Sequence, residues 1–386
     1  MYLSKLRLMN FRNFSDLKLD LRSGLNFLIG ENGQGKTNLL EAMYLLAISK
    51  SYRSNAEREL VARERLDDET TPETHNGVEA IVDGEIERRK DRVRAIVGIR
   101  LDYREETGGS LVRKQIRVNG ARATASGLVG WVKAVLFTAD DIGLVHGSPA
   151  IRRRFIDILI SQQDRDYLRA LQRYQKVVSN RNHLLRSMRD HGSSKVEMEF
   201  WDNELLKEGK IIIESRLNVI SRLVPLAIGA HSDLCDGETL SIAYSPSVEP
   251  NSFEEALSKS KAEDLRAGIT MVGPHRDDLE VGLNGMPASQ FSSRGQARTI
   301  ALSMRLAEAA FLKQNSGEEP IVLLDDVLSE LDTRRRHQIL NVASSYQQAF
   351  VTTAEPALIM DSPVRASDQL SVNGGGVVAY GQAAKE

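Results

Sequence analysis

A glycine-rich loop that ends in a lysine and a threonine offers the clearest chemistry in this sequence. It has the spacing G-x-x-x-x-G-K-[ST], and with the next residue the predicted nucleotide-binding set is Gly30, Glu31, Asn32, Gly33, Gln34, Gly35, Lys36, Thr37 and Asn38. Backbone N–H groups of such a loop point at phosphate oxygens, and the helix start that follows adds positive potential. We expect Lys36 to reach the β- and γ-phosphates of ATP or GTP, and Thr37 to bind Mg²⁺. A glycine-rich turn without a ligand is the alternative.

Two adjacent carboxylates after an apolar strand form a second candidate group. Residues 321–324 are all Ile, Val or Leu, and Asp325 and Asp326 follow them directly. This spacing places both carboxylates at a strand tip, where phosphoryl-transfer sites hold their metal and attacking water. We predict Asp325, with Thr37, on the magnesium side, and Asp326 and Lys36 as catalytic residues. A polar strand end that only makes a turn is the alternative, which the phosphate loop disfavours.

A serine-glycine-glutamine segment is the third candidate. Ser293, Gly295 and Gln296 precede a predicted helix over residues 297–312, so they form a second anion-binding helix start. Taken alone, such a segment is more often an ordinary helix N-cap. However, one nucleotide does not need two such starts in one chain. The order of phosphate loop, this segment, acidic strand and Asp332 resembles the ATP-binding-cassette ATPases, in which this segment covers the ATP of the partner subunit.

The elements that must position these groups alternate between strand and helix. A strand over residues 25–29 enters a helix over residues 36–48 through the phosphate loop, and short alternating runs between residues 78 and 118 predict an antiparallel layer. The β/α pattern resumes with the strand at residues 321–325 and continues to a strand at 349–353. The fold class predicted from these runs is α/β, with a nucleotide-binding core that is split in sequence.

The middle of the chain has helical periodicity. Ile213, Leu217, Ile220 and Val224 recur at the spacing of one helix face. We therefore predict three regions. Residues 1–150 form an N-terminal part of the core, and residues 151–265 form a helical insert. Residues 266–386 form a C-terminal part of the core, which contains the acidic strand and the serine-glycine-glutamine segment.

Composition narrows the class of protein. The 386 residues are enough for one large unit and one smaller unit, and 41% hydrophobic with 27% charged residues is ordinary for a globular chain. A net charge of −2 means that any DNA contact requires local basic surfaces. The single cysteine fits a reducing compartment, and we find neither a secretory leader nor an apolar run of about 20 residues. We predict a cytoplasmic protein without membrane contact.

Basic residues in the predicted insert are candidates for DNA binding. Arg165, Arg169, Arg173 and Lys176 fall on one helix face, opposite an apolar face, and should point outward. Arg152 and Arg153 form a second candidate group. A solvated basic face without a ligand is the more common outcome for such a pattern. No aromatic-rich sheet is evident, so backbone contact with duplex DNA is favoured over stacking of single-stranded bases.

Longer strings resemble the RecF family of bacterial recombination-mediator ATPases, which is related to the head domains of SMC proteins. The matching strings are Asn10 to Asn13, Gly30 to Ala42, Gly147 to Pro149 with Arg152 to Phe155, and Gly273 to Asp278. The resemblance covers most of the chain and implies an ATP-binding-cassette core like that of SMC heads.

The resemblance also implies a function. ATP would drive the formation of a homodimer in which Ser293, Gly295 and Gln296 of one subunit meet the γ-phosphate bound by the other, with Asp332 at the same interface. The dimer would clamp duplex or gapped DNA, slow hydrolysis would release it, and RecR and RecO would be partners in loading the recombinase at single-strand gaps. Asp326 stands where the broader cassette pattern has glutamate, and this shorter side chain predicts a weak ATPase.

Two other functions are open at this stage. The chain could be the nucleotide-binding subunit of a transport-type cassette ATPase, or a cassette ATPase associated with a nuclease. No glutamine occurs at residues 138–141, where a transport-type glutamine loop is expected. The last predicted core strand lies close to Glu386, which leaves little room for a nuclease domain. His231 and Cys235 alone do not predict a zinc site, because a second pair of ligands is missing.

Overall fold

The structure is a computed structural model that describes residues 1–54, 56–62, 77–104, 109–191, 195–360 and 364–381. The chain divides into two units, the first formed by Met1–Asp140 with Leu312–Glu386 and the second by Asp141–Phe311. No helix among the described residues is both long enough and apolar enough to cross a bilayer.

The strands are β1 Tyr2–Phe11, β2 Phe14–Asp20, β3 Gly24–Ile29, β4 Val78–Glu87, β5 Arg92–Arg104, β6 Gly109–Val118, β7 Ala121–Ala123, β8 Ala134–Thr138, β9 Leu240–Ser245, β10 Asp278–Leu283, β11 Met286–Pro287, β12 Ile321–Asp325, β13 Gln348–Thr353, β14 Asp368–Asn373 and β15 Gly376–Ala379. The helices are α1 Lys36–Ile48, α2 Ala125–Leu128, α3 Gly143–His146, α4 Pro149–Ser161, α5 Arg165–His191, α6 Lys195–Leu234, α7 Phe253–Ala267, α8 Ala288–Phe291, α9 Arg294–Ser316, α10 Thr333–Ser344 and α11 Ala357–Met360. The α/β class is confirmed, and so is the antiparallel layer.

The first unit contains two six-stranded sheets. One has the order β15-β14-β3-β13-β12-β8, in which every pair is parallel except β14 with β15. Every residue of β12 and β13 is buried, as expected for strands covered on both faces. The other sheet, β2-β1-β4-β5-β6-β7, is antiparallel, and burial alternates along β4. The parallel arrangement brings the carboxyl ends of β3, β13 and β12 to one edge.

The second unit is built on two long helices and a three-stranded sheet. Arg181 of α5 contacts Asp202 of α6. Arg173 lies two turns before Arg181 on α5, and it contacts Glu208, which lies six residues after Asp202 on α6. The two helices are therefore antiparallel. The sheet has the order β11-β10-β9. Because β9 precedes residue 265 and β10 follows it, their pairing joins both sides of the predicted boundary. The second unit therefore extends to Phe311, beyond the predicted end of the insert.

The buried face of α6 differs from the predicted face. Ile213 and Ile220 are buried, as expected, but Leu217 is 36% exposed and Val224 is only half-buried. Arg216 occupies the position expected for Leu217 and is 2% exposed. A pattern of apolar residues does not reveal a buried arginine. The prediction that Leu217 lies on the apolar face of this helix is therefore wrong.

Two carboxylates and a carbonyl oxygen explain why Arg216 can lie inside the second unit. Its guanidinium donates to Asp157 at 2.8 Å, to Asp277 at 2.9 Å and to the carbonyl oxygen of Pro274 at 2.7 Å. Asp277 is fully buried and also accepts from the hydroxyl of Tyr244. A buried charge is tolerated when it is paired and hydrogen-bonded in this way. The string from Gly273 to Asp278 is thus a structural centre of this unit.

Candidate nucleotide site

The phosphate loop lies between β3 and α1, as predicted. Gly33 and Gly35 have φ values of 83° and 110°, in the left-handed region that favours glycine. A Cβ atom on Gly35 would lie 2.4 Å from Nδ2 of Asn13, which donates to the carbonyl oxygen of Gln34 at 3.0 Å. Asn13 also accepts from the side chain of Asn38 at 2.8 Å. The loop is therefore shaped by its own glycines and by a residue of the Asn10 to Asn13 string.

The side chain of Lys36 is hydrogen-bonded to the phosphate loop. Its Nζ donates to the carbonyl oxygens of Gly30 at 2.6 Å and Glu31 at 2.8 Å, and the residue is 6% exposed. Burial lowers the pKa of Lys36, and the carboxylates of Asp326 and Asp325 partly oppose this shift. The ammonium group therefore lies against the carbonyl oxygens of the loop itself.

Thr37 and Asp325, which are far apart in sequence, meet at the edge of the parallel sheet. The hydroxyl of Thr37 donates to Oδ1 of Asp325 at 2.8 Å, and the hydroxyls of Tyr52 and Thr352 lie 3.0 and 3.2 Å from the same carboxylate. Asp325 is 8% exposed, and burial raises its pKa while these three hydrogen bonds oppose the rise. A hydroxyl and a carboxylate oxygen are donors that suit Mg²⁺.

Asp326 differs from its neighbour in both exposure and backbone. It is exposed, and its φ of 52° lies in the left-handed region, which a residue other than glycine adopts at a cost of about 1 kcal/mol or more. Its N–H donates to the hydroxyl of Thr352 at 2.8 Å, which holds this conformation. The turn separates the two carboxylates, so that one is packed inside and the other faces solvent.

Several residues that support this site escaped the sequence analysis. Tyr52 and Thr352 donate to Asp325, and neither has a motif of its own. Arg12 belongs to the quoted Asn10 to Asn13 string, but its role was not predicted. It forms a two-pronged ion pair with the buried carboxylate of Glu41 on α1, at 2.8 and 2.9 Å.

In the second unit, the serine-glycine-glutamine segment is an exposed helix start. The N–H of Ser293 donates to the side chain of Gln296 at 2.9 Å, and the N–H of Gln296 donates back to the hydroxyl of Ser293 at 3.2 Å. This reciprocal pair is a capping box at the start of α9. Ser293 and Gly295 are exposed. The side-chain amide of Gln296 also donates to Glu238 at 2.9 Å, a contact that the sequence did not indicate.

Asp332 is also a helix cap. Its carboxylate accepts from the N–H of Arg335 at 2.9 Å at the start of α10, and it is exposed in the first unit. A single chain therefore presents Asp332, Ser293 and Gly295 to solvent.

The two groups of basic residues have different surroundings. Arg165, Arg169, Arg173 and Lys176 are exposed on α5, which confirms that this face points outward. Arg173 pairs with Glu208 at 2.9 Å.

Arg152, in contrast, is 8% exposed and binds both carboxylate oxygens of Asp278, at 2.7 and 2.8 Å. Arg153 donates to the carbonyl oxygen of Asp277 at 2.6 Å, and burial lowers its pKa. A phosphate contact by Arg152 would require it to release Asp278, because its guanidinium is already occupied.

Comparisons with known proteins agree with this architecture. The family model for the RecF/RecN/SMC N-terminal domain matches residues 2–371. The chain is 37% identical over 363 residues to the DNA replication and repair protein RecF of Herpetosiphon aurantiacus, covering 92% of this chain and 93% of the relative.

Solved structures extend the similarity to three dimensions. The structure of the recombination mediator protein RecF with ATP, in the RecFOR pathway, aligns with a TM-score of 0.84 at 32% identity, covering 98% of this chain and 97% of that chain. The Smc head domain of Pyrococcus furiosus, solved with the C-terminal domain of ScpA, aligns with a TM-score of 0.54 at 17% identity and covers 98% of this chain and 96% of that chain. The latter likeness shows the fold alone, and it confirms the predicted likeness to SMC heads.

Proposed function

We propose that this chain, which belongs to the RecF family of DNA replication and repair proteins, is an ATP-dependent DNA-binding protein of recombinational repair. In this proposal ATP closes a dimer of two copies on duplex DNA beside a gap, and slow hydrolysis to ADP and phosphate reopens it. The observation that carries the proposal is the 2.8 Å contact between Thr37 and Asp325, beside the loop that holds Lys36. These are the residue types that bind phosphates and a divalent cation at one sheet edge.

Each residue of the first unit has a distinct part in this proposal. Lys36 neutralises charge on the β- and γ-phosphates after it leaves the carbonyl oxygens of Gly30 and Glu31. Thr37 and Asp325 hold Mg²⁺, which when bound screens the negative charge of the phosphates. Asp326, exposed beside Asp325, orients the attacking water. Its side chain is one methylene shorter than glutamate, and this supports a weak ATPase that acts as a timed switch.

The signature segment, which we define as Ser293 to Gln296, completes the site of the other copy. The first helical hydrogen bond of α9 runs from the N–H of Ala297 to the carbonyl oxygen of Ser293. The N–H groups of Arg294 and Gly295 precede this bond, and a helix start of this kind attracts anions. In the closed dimer they meet the γ-phosphate of the partner copy, with Asp332 at the same interface.

DNA contact is assigned to the exposed basic face of α5. Arginine and lysine on an outward helix face bind phosphate oxygens without reading sequence, which suits a protein that recognises a structural feature of DNA. Partnership with RecR and RecO, and a place in the cytoplasm, are further parts of the proposal and rest on membership of the family.

The mass of the protein in solution tests the proposal. Light scattering should give a monomer with ADP and a dimer with a slowly hydrolysed ATP analogue, and gapped duplex DNA should strengthen the dimer. Ser293→Asp keeps a good helix cap but places a carboxylate against the γ-phosphate, so it should still bind ATP as a monomer and fail to dimerise. Ser221→Arg, on an exposed part of α6, is the control. An ATP-dependent dimer of Ser293→Asp would contradict the composite site.

A further inference from the structure

Three potential metal ligands lie together where α6 ends. His231, Cys235 and Glu238 offer a ring nitrogen, a sulfur and a carboxylate oxygen that all lie within 4.8 Å of one another. His231 is fully buried, Cys235 is 7% exposed, and the side chain of Glu238 is 18% exposed. Of these three residues, only His231 and Cys235 were candidates from the sequence. Glu238 was missed because it follows the helix and approaches His231 through the turn at Gly237.

The spacing of these atoms is close to that of a tetrahedral site. Ligands at zinc–ligand distances of about 2.0–2.3 Å lie roughly 3.3–3.6 Å from each other. Nε2 of His231 and Oε2 of Glu238 are 3.2 Å apart. The thiol of Cys235, one helical turn after His231, would need to move by about 1.5 Å at most to complete three ligands. A water molecule can take the fourth position on the side of Glu238, where the cluster is less buried.

Hydrogen bonds around His231 decide which ring nitrogen faces the cluster. The hydroxyl of Ser303 donates to the carbonyl oxygen of Thr299 at 2.7 Å, so its single proton is used there. Ser303 must then accept from Nδ1 of His231, at 3.2 Å, which places the ring proton on Nδ1. The neutral imidazole therefore presents the lone pair of Nε2 to Glu238.

A lone pair of nitrogen and a carboxylate oxygen at 3.2 Å repel each other unless a proton or a cation lies between them. A proton would satisfy this pair alone. A metal ion would satisfy it and also use the sulfur that lies beside both groups. The contact from Nδ1 to Ser303 is the outer-shell hydrogen bond that metal-bound histidines usually make.

We propose that His231, Cys235 and Glu238 bind one divalent transition-metal ion of the zinc type. Cys235 binds as the thiolate, and its proton is released to solvent when the metal–sulfur bond forms. The mixture of nitrogen, sulfur and oxygen donors favours zinc or cobalt over magnesium, which prefers oxygen alone.

The proposed metal site is connected to the signature segment. Glu238 accepts from the side chain of Gln296 through its second oxygen, at 2.9 Å, and Gln296 in turn accepts from the N–H of Ser293. A metal ion that fixes Glu238 thus also fixes the capping box of α9. If the proposed function holds, loading the metal should strengthen ATP-dependent dimerisation; this consequence rests on that function, whereas metal binding itself does not.

Cobalt titration of the untagged full-length protein is a direct test. Cys235 is the only cysteine in the chain, so a thiolate-to-cobalt charge-transfer band can come from no other residue. We expect this band to saturate at one Co²⁺ per chain and to be bleached by Zn²⁺. Cys235→Ser, which is nearly isosteric, should abolish the band, and Glu238→Gln should weaken binding about 10- to 100-fold.

A matched control and a contrary result complete the experiment. His183→Ala removes an exposed histidine of α5 and should leave the titration unchanged, whereas His231→Ala should weaken it at least as much as Glu238→Gln. Because no nucleotide or DNA is present, failure here is separate from failure of the proposed function. Absence of the band in the wild-type protein, or equal Zn²⁺ affinity in Cys235→Ser, would overturn the proposal and leave a protonated imidazole paired with Glu238.

Discussion

The proposed nucleotide-binding residues of the first unit and the signature segment of the second unit are organised in opposite ways. In the first unit, Thr37, Lys36 and Asp325 are linked to their own surroundings by short hydrogen bonds. Lys36 and Asp325 are buried, and Thr37 is half-buried. In the second unit, Ser293 and Gly295 are exposed at a helix start that is held by a capping box. The first group is positioned within one chain, whereas the second presents its polar groups to solvent.

This difference indicates which parts of the proposed site are preorganised within one chain and which parts are completed only by another molecule. Buried polar groups must be satisfied inside the fold, so the geometry around Asp325 is set during folding. An exposed helix start can exchange water for a phosphate without disturbing the packing beneath it. The buried guanidinium of Arg216 on α6 holds Asp277 and Asp157 of α4 together inside the same unit.

The largest expected effect comes from Arg216→Met. This change leaves the buried carboxylate of Asp277 and the half-buried carboxylate of Asp157 without their cation, and we expect a loss of about 3–5 kcal/mol of stability in the second unit. Urea denaturation, monitored by a probe in the second unit, should show unfolding of this unit at a lower urea concentration than in the wild-type protein. We call this the early transition. Arg266→Met, in which an 81% exposed side chain is changed, is the control and should shift the midpoint little.

The nucleotide affinity of Arg216→Met tests whether the nucleotide site depends on the second unit. The phosphate loop and the acidic strand lie in the first unit. The affinity for ATP, measured at urea concentrations below the early transition, should therefore be close to that of the wild-type protein. A large loss of ATP affinity in that range would show that the nucleotide site depends on the second unit and would break the proposed division.

Lys36→Ala should have the next largest effect. Loss of the ammonium group removes charge-assisted hydrogen bonds to the β- and γ-phosphates, and we expect affinity for an ATP analogue to fall by about 3 kcal/mol, or roughly 100-fold. Calorimetric titration measures this change. Lys50→Ala, at an exposed position just after α1, is the matched control. Unchanged affinity in Lys36→Ala would remove the phosphate-loop assignment.

The core strands and the phosphate loop could be predicted because local sequence dictates them. The helix after the loop begins and ends at Lys36 and Ile48, as predicted, and β12 ends at Asp325. In these segments the continuous apolar residues and the glycine positions are direct consequences of burial and of positive φ. The pairing of β9 with β10 across the predicted boundary is a long-range contact, which no local pattern encodes.

Side chains that act through distant partners escaped prediction for the same reason. Tyr52 reaches Asp325 from a position 273 residues away, and Glu238 reaches Gln296 from 58 residues away. Arg216 was overlooked because an arginine normally marks an exposed position. The motif residues were therefore predictable, whereas the residues that hold them in place required the three-dimensional structure.

A smaller effect is expected from the basic face of α5. If Arg165 and Arg169 each neutralise one DNA phosphate, changing both to alanine should reduce the slope of log affinity against log salt by about 1.8. Fluorescence anisotropy with gapped duplex at several salt concentrations measures this slope. Arg266→Ala, on α7, is the control. An unchanged slope would show that these residues are only a solvated surface.

The smallest effect concerns the hydrogen bond from Tyr52 to Asp325. Burial raises the pKa of Asp325 above its unfolded value of 3.8, so this carboxyl stabilises the fold when protonated, and that contribution is lost as the pH rises through the raised pKa. Magnesium requires the ionised form. The Mg²⁺-dependent affinity for ATP should therefore fall on the acidic side of the pH profile, at a pH above the usual range of an aspartate.

Tyr52→Phe removes one of the three hydrogen bonds that lower the pKa of Asp325, and the acidic limb of that profile should move to higher pH by up to about one unit. Tyr380→Phe, on the partly exposed tyrosine that follows β15, should leave the limb in place. Movement of the limb in the first variant alone would show that Asp325 is tuned by its own unit before any partner binds. If the acidic limb does not move in Tyr52→Phe, the limb reports the titration of another group. The contrast between the internally positioned Asp325 and the exposed signature segment would then be weaker.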